Sequence, residues 1–327
     1  MAYKGFGRII KGVGGLFTVW VMPSEGEALP LDNKTVVGRG RGNLHRKGVL
    51  LAGDRVEISY DDSSYRRAED GTITPAEDGT GISIDRILDR SCALIRPPMA
   101  NLDVLFVTIA AAAPDPVLET VDKLISIAEY NGIEPVIVIT KSEIAPKMAA
   151  EIKEIYTKAG FLACCVGEGI EGDLPILQNY IQTSLGGKVA AFSGASGVGK
   201  STLLNRLFPN LMLQTGEISR RIERGKNTTR HVELYPLSED RSCGFLADTP
   251  GFTMLDFERF DFFDKESLPE TFREFLPLIG SCRYTKCSHT VEQGCAICEA
   301  VASGEIAKSR HASFCALYDV LKKKTKW

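Results

Sequence analysis

The stretch "GASGVGKST" at residues 194–202 constrains this chain more than any other. Gly194, Gly199, Lys200 and Ser201 complete the pattern G-x-x-x-x-G-K-S between an apolar run, "KVAAFS", and a helix-like "TLLNRLF". Glycines in such a turn let successive backbone N–H groups curl around phosphate oxygens, and the N-terminus of the following helix adds a favourable dipole. The lysine of the pattern reaches the β- and γ-phosphates, and the serine hydroxyl ligates Mg²⁺. The predicted phosphate cradle comprises Gly194, Ala195, Ser196, Gly197, Val198, Gly199, Lys200, Ser201 and Thr202. A loop of this kind usually follows the first strand of its domain, yet here it begins well past the middle of 327 residues.

The flanking sequence resolves that oddity. From about residue 100 to 262, apolar strand-like runs alternate with amphipathic helix patterns, the signature of an α/β domain. Predicted strands are "DVLFVTIAA", "EPVIVIT", "FLACCV", "KVAAFSG" and "GFLADT", with "HVELYPL" alternating like an edge strand. Predicted helices are "DPVLETVDKLISIAEYNG", "IAPKMAAEIKEIYTKAG", "DLPILQNYIQT" and "GKSTLLNRLF". The strands and base-reading loop that ought to follow "GFLADT" lie instead upstream of the phosphate loop, so a circular permutation is predicted. Residues 1 to about 96 read as short alternating strands punctuated by glycine, which favours a small all-β barrel. Consecutive prolines in "IRPPMAN" close that segment. From about 263 the chain reads as helical around a Cys/His-rich knot at 282–298. The expected domains are thus 1–96, 97–262 and 263–327.

"EPVIVITKSE" places Thr140, Lys141, Ser142 and Glu143 at the end of a buried-type strand, where guanine readers usually carry Asn-Lys-x-Asp. A carboxylate at position 143 can accept two hydrogen bonds from the N1 and N2 edge of guanine, which adenine cannot supply; GTP is therefore expected to bind more tightly than ATP. Downstream, "ADTPG" puts Asp248 where it would support the Mg²⁺ shell and Gly251 where its N–H would reach the γ-phosphate. Between them, Thr228 or Thr229 of "RGKNTTRH" could offer a hydroxyl to Mg²⁺ while a γ-phosphate is present, the behaviour of a switch loop.

Cys282, Cys287, His289 and Cys295 follow the spacing C-x₄-C-x-H-x₅-C. Three thiolates and an imidazole within one short loop suit a closed, structural Zn²⁺ site, with Cys298 a rival fourth ligand. The remaining cysteines, Cys92, Cys164, Cys165, Cys243 and Cys315, read as packing residues. No apolar run reaches the roughly 20 residues that span a bilayer, and the N-terminus lacks the apolar core of a signal peptide. A cytoplasmic protein with reduced thiols and no membrane partner is expected.

The net charge of −3 hides three basic islands: nine Lys/Arg against five Asp/Glu in residues 1–60, five against one in 219–231, and six against two in 303–327. Their spacing suits an anionic partner touched at several places. In the barrel, Arg39, Arg41, Arg46 and Lys47 lie near Phe17 and Trp20 in sequence, the composition of a nucleic-acid-binding face. Phe17 and Trp20 have opposite strand parity, so at least one is expected in the core.

The combination of "GRIIKG", "GDRV", "IRPPMANLD", "GASGVGKSTLLN", "NTTRH", "DTPGF" and "EQGCAI" resembles the ribosome small-subunit-dependent GTPase family, known as RsgA or YjeQ, over nearly the whole chain. The resemblance implies an N-terminal OB-fold, a circularly permuted GTPase domain and a C-terminal zinc-binding domain. It also implies GTP hydrolysis stimulated by the small ribosomal subunit and its rRNA, in late maturation of that subunit, by a chain expected to be a monomer. Lys200, Thr229 and Gly251 would support water attack on the γ-phosphate, with Mg²⁺ held by Ser201 and Thr229. Two departures stand out: "TKSE" replaces Asn-Lys-x-Asp, and Asn227 stands where the family's switch loop carries a histidine proposed to help catalysis, with His231 four residues on. Phe252 follows Gly251, where Ras-like enzymes carry a water-orienting Gln. The alternative is a nucleotide-gated RNA-binding module with little hydrolysis; a general ATPase is disfavoured by the carboxylate at 143.

Overall fold

The structure is a computed structural model that describes residues 2–42, 44, 48–69, 73–75, 82–95, 97–209, 232–237, 244–248 and 263–323. Contacts group the chain into two units. One comprises Met1–Leu102, Leu185–Ala191 and Arg224–Pro250; the other comprises Asp103–Ser184, Phe192–Glu223 and Gly251–Trp327.

The first unit begins with the strands β1 (Ala2–Val13), β2 (Leu16–Val21), β3 (Thr35–Gly40) and β4 (Arg55–Asp61), then the short β5 (Tyr65–Arg67) and β6 (Ile73–Pro75), and β7 (Ile82–Ile87). β1, β2, β3, β7 and β4 close into a barrel in that order, with β4 returning to pair antiparallel with β1 from Ala2↔Asp61 to Arg8↔Arg55. Closure leaves no exposed sheet edge. The interior is filled by residues that alternate along the strands, among them Ile9, Val19, Val36, Val56, Ile58 and Ile84. A five-stranded closed barrel of this kind is OB-like, as the sequence predicts. Trp20, of opposite parity to the core residues Val19 and Val21, is buried on the outer face of its strand against Phe245, at 5.2 Å between ring centroids. Phe17 is partly buried against the barrel core. Arg39 and Arg41 are exposed, the latter paired with Asp85 at 2.9 Å. Arg46 and Lys47 lie outside the described residues. A hairpin of β8 (Ala93–Ile95) and β9 (Pro98–Ala100) follows the barrel.

The α/β part is built from β10 (Val104–Ala110), α1 (Leu118–Tyr130), β11 (Glu134–Thr140), α2 (Pro146–Lys158), β12 (Leu162–Cys165), α3 (Leu174–Ser184), β13 (Val189–Ser193), α4 (Lys200–Leu207), β14 (Glu233–Pro236) and β15 (Phe245–Asp248). The sheet order is β12-β11-β10-β13-β15-β14. β10, β11 and β12 run parallel, as do β13 and β15, while β14 is antiparallel at the edge. β10 is buried at every position, the unbroken apolar run expected of a parallel strand covered on both faces. All five predicted parallel strands and all four helices form. Beyond them lie two short 3₁₀ turns, Leu268–Thr271 and Arg273–Leu278, and the helices α5 (Ala296–Ala302) and α6 (Lys308–Lys323). Phe272, Phe275 and Phe314 form their core, with ring centroids 5.0–5.4 Å apart.

Two members of the basic islands are interior groups rather than surface charge. Arg8 is buried in the first unit and donates to the Gly187 carbonyl at 3.0 Å. Arg310, on α6, is 1% exposed and donates to Asp122 of α1 at 2.6 Å and to Glu274 at 2.7 and 3.1 Å. Burial by itself would push its guanidinium down, but the two carboxylates push it further up, so the cation is retained.

Candidate functional site

β13 ends at Ser193, and the chain turns at once through residues 194–199 into α4. Gly194 has φ +144°, and a Cβ there would fall onto the Thr108 carbonyl of β10. Only glycine lets the two strands' backbones approach so closely. Ala195, Ser196 and Gly197 are exposed, whereas Val198 is buried and anchors the loop. Ser201 and Thr202 occupy the first turn of α4, half-buried and exposed respectively. The Lys200 amine donates to the Gly194 and Ala195 carbonyls at 2.7 and 2.8 Å. Partial burial pushes its pKa down from the ordinary lysine value. The loop thus gathers a glycine-rich turn, a helix N-terminus and a positioned cation, an arrangement suited to binding an anion.

The stretch at 140–143, predicted to read the base, lies directly beside it. Thr140, the last residue of β11, donates its hydroxyl to the Val198 carbonyl, with the Ile109 carbonyl 3.2 Å away. Lys141 donates to the Gly197 carbonyl at 2.9 Å and to the Ala113 carbonyl. Lys141 is held at φ +55°, a strained conformation for a non-glycine residue that costs on the order of 1–3 kcal/mol and persists where its surroundings demand it. The corner at 140–143 and the cradle at 194–202, separated by half a hundred residues of chain, are therefore neighbours in space.

Between them opens a cavity of about 180 Å³, lined by Thr140, Lys141, Glu143, Ile144, Val166, Gly167, Glu168, Gly199, Thr202, Leu203 and Arg206. The Oε2 atom of Glu143 and the Oγ atom of Ser142 are buried without a hydrogen-bond partner among the described residues. A buried acceptor left unpaired costs about 1–3 kcal/mol, more when charged. A ligand with N–H groups on one edge would satisfy it. Sequence motifs did not mark Gly167 or Arg206. Arg206 lies on α4, and its guanidinium donates to the Gly167 carbonyl at 2.5 Å. No residue pattern announces such a contact, because α4 and the Gly167 loop meet only in the folded chain.

Asp248 closes β15, in register with Glu233 of β14. Thr228, Thr229, Asn227, His231, Gly251 and Phe252 lie outside the described residues.

A second cluster forms where the spacing places it. Ligand atoms of Cys282, Cys287, His289 and Cys295 all lie within 4.8 Å of one another, and the group could hold a metal. The Cys282 and Cys295 sulfurs are 3.8 Å apart and lie 3.4 and 3.6 Å from Nδ1 of His289. Burial above all pushes the Cys287 thiol up to about 12 and the Cys295 thiol up to about 11. Ionised together, three sulfurs this close would repel one another unless a cation lay between them. Cys298 stands outside the group: its amide donates to the Cys295 sulfur, and its own sulfur faces the His289 and Thr290 carbonyls. The loop is cross-braced by Glu292, which accepts from the amides of Ser288, Thr290 and Val291. Burial would raise its carboxyl, but these bonds hold it down at about 2.

A family model described as RsgA GTPase matches residues 87–258. The chain belongs to the RsgA GTPase family. It is 36% identical to the small ribosomal subunit biogenesis GTPase RsgA of Alkaliphilus metalliredigens, over 98% of this chain and 99% of that protein. It is 34% identical to the protein of the same description from Enterococcus faecalis, over 94% and 92%. Two solved structures share its architecture. YjeQ from Thermotoga maritima superposes with a TM-score of 0.76 at 26% identity, over 99% of this chain and all of that one. YloQ, described as a circularly permuted GTPase, superposes at 0.72 with 27% identity, over 99% and 98%. Membership of the RsgA GTPase family accounts for β11 and the 140–143 corner preceding the 194–202 loop in sequence: this too is a circularly permuted GTPase. Among the described residues, no helix is long and apolar enough to cross a membrane.

Proposed function

We propose that this chain hydrolyses GTP with Mg²⁺ in the service of late maturation of the small ribosomal subunit, and that contact with that subunit and its rRNA stimulates turnover. The observation that carries the proposal is the docking of Thr140 and Lys141 onto Val198 and Gly197, which sets a base pocket against a phosphate loop. In this assignment Glu143 accepts from the N1 and N2 edge of guanine, and Lys141 and Thr140 hold the corner in place. Amides from Gly194 to Thr202 receive the phosphates, and Lys200 neutralises charge growing on the β–γ bridge as it breaks. The oxygen donors Ser201, Thr229 and, through the outer shell, Asp248 suit Mg²⁺, a hard cation that keeps several of its waters. When bound, that ion supplies positive charge to the phosphate oxygens. The Gly251 amide is assigned to the γ-phosphate.

GTP and ATP turnover, titrated with purified small subunits, tests the proposal. Phosphate release from GTP should rise with added subunits and exceed release from ATP. No release from either, with or without subunits, would favour a binding module instead. Glu143→Ala is expected to abolish the preference for GTP over ATP in equilibrium binding, while leaving ATP affinity unchanged.

The donor set Cys282, Cys287, His289 and Cys295 fits a tetrahedral, closed Zn²⁺ site with no position for water, hence a structural one. Metal analysis should return about one zinc per chain, and Cys295→Ser should lose it together with cooperative melting of the C-terminal segment. Zinc-free protein of unchanged stability would contradict the assignment. We assign residues 1–96 to rRNA contact, 97–262 to the GTPase and 263–327 to zinc binding, in a monomeric cytoplasmic protein.

A further inference from the structure

The base corner departs from the usual Asn-Lys-x-Asp by carrying a glutamate, whose carboxylate sits one methylene further from the backbone. That extra reach needs room, and the structure shows where it is found. Glu143 Oε2 lies against the backbone of Gly167, in the loop after β12. A Cβ built on Gly167 would fall onto Oε2, far inside contact distance, and would stand 3.1 Å from the Glu143 amide nitrogen and 3.0 Å from Ile170. Gly167 does not adopt a left-handed backbone. What glycine supplies at this position is therefore space alone, not conformational freedom.

The loop cannot retreat to make that space another way. Asp173 accepts from the Cys165 amide and from Lys153, both at 2.7 Å, which fastens the loop at each end. The Ser142 amide donates to the Val166 carbonyl at 3.3 Å, and Arg206 donates to the Gly167 carbonyl itself at 2.5 Å. With the main chain held from both sides, a methyl at 167 would displace the flexible partner, the Glu143 carboxylate.

We propose that Gly167 is a specificity-determining residue for the base: it is the void that lets a glutamate, rather than the shorter aspartate, present its carboxylate to guanine. The inference rests on the assignment of Glu143 to the base edge. Residues 143 and 167 then act as one unit, a longer acid over a bare backbone being interchangeable with a shorter acid beside a methyl. A site built to accept two N–H groups discriminates strongly against a base that lacks them, so displacing the acceptor removes discrimination and leaves phosphate binding intact.

Calorimetric titration of the full chain with GDP and with ADP tests this. Wild type should prefer GDP. Gly167→Ala should lose GDP affinity by at least about tenfold at unchanged ADP affinity, matching Glu143→Ala. The double variant Gly167→Ala/Glu143→Asp should recover most of the loss, whereas Glu143→Asp alone should not match wild type. Wild type without a GDP preference would sink the base-edge assignment itself. A wild-type preference that survives in Gly167→Ala, an equal loss for both nucleotides, or a double variant no better than the single would overturn the role of Gly167.

Discussion

Arg310→Met should destabilise the protein by about 3–5 kcal/mol, the usual penalty for stranding one side of a buried ion pair. The guanidinium is 1% exposed and is shared between Asp122 and Glu274, whose side chains are 0% and 8% exposed. It also lies over the Phe272 ring at 4.4 Å. Methionine fills much of the same volume but leaves two largely buried carboxylates without their shared cation, where ionisation is costly. Urea denaturation followed by far-UV circular dichroism measures the effect as a lower midpoint. A triple variant, Arg310→Met with Asp122→Asn and Glu274→Gln, removes the stranded charges and should recover part of the loss. If the single variant unfolds at the wild-type urea concentration, the triad contributes no stability and α6 is held to α1 by apolar packing alone.

Lys200→Ala is expected to lower GTP turnover by about 10²–10³-fold, the range seen when one aligned donor to developing charge is removed. The amine is already gathered by the Gly194 and Ala195 carbonyls and sits at the start of α4, so its position is set before any phosphate arrives. Partial burial lowers its pKa, and among the described residues no carboxylate offsets it, which suits a cation placed to meet phosphate oxygens. Melting temperature should barely change, because the lost contacts are to the loop's own carbonyls and the side chain reaches solvent. Lys200→Arg should not rescue turnover, since a planar fork cannot replace a compact ammonium in a loop of this curvature. Turnover within a few-fold of wild type in Lys200→Ala would remove the loop from the catalytic machinery.

Much of the architecture was legible along the chain because it rests on short-range rules. The period-3.6 apolar pattern of "LETVDKLISIAEY" and the unbroken apolar run of "VLFVTIA" each encode burial locally, and both elements form as read. Strand parity puts Phe17 on the barrel-core side with Val19 and Val21, while Trp20 on the opposite face is buried against Phe245, a partner that parity does not name. The Cys/His spacing chose its four members, because a tight loop brings its own ligands together. Charge along the chain says less about where a side chain comes to rest. It grouped Arg310 with a basic C-terminal island and Arg8 with a basic N-terminal one, yet both are interior. An arginine's composition value is the same whether it faces solvent or a carboxylate 188 residues away.

A phosphate-loop pattern, the corner at 140–143 and a Cys₃His spacing can each be read along the chain, since each is a run of residues whose chemistry is complete within a few positions. Tertiary structure alone decided that the base corner touches Gly197 and Val198, that Gly167 yields its volume to Glu143, and that Asp122 and Glu274 share Arg310. The physical reason is that periodicity tells a side chain whether it will be buried, but not against what. Partners across tens or hundreds of residues are chosen only when the strands fix their order and the loops between them close.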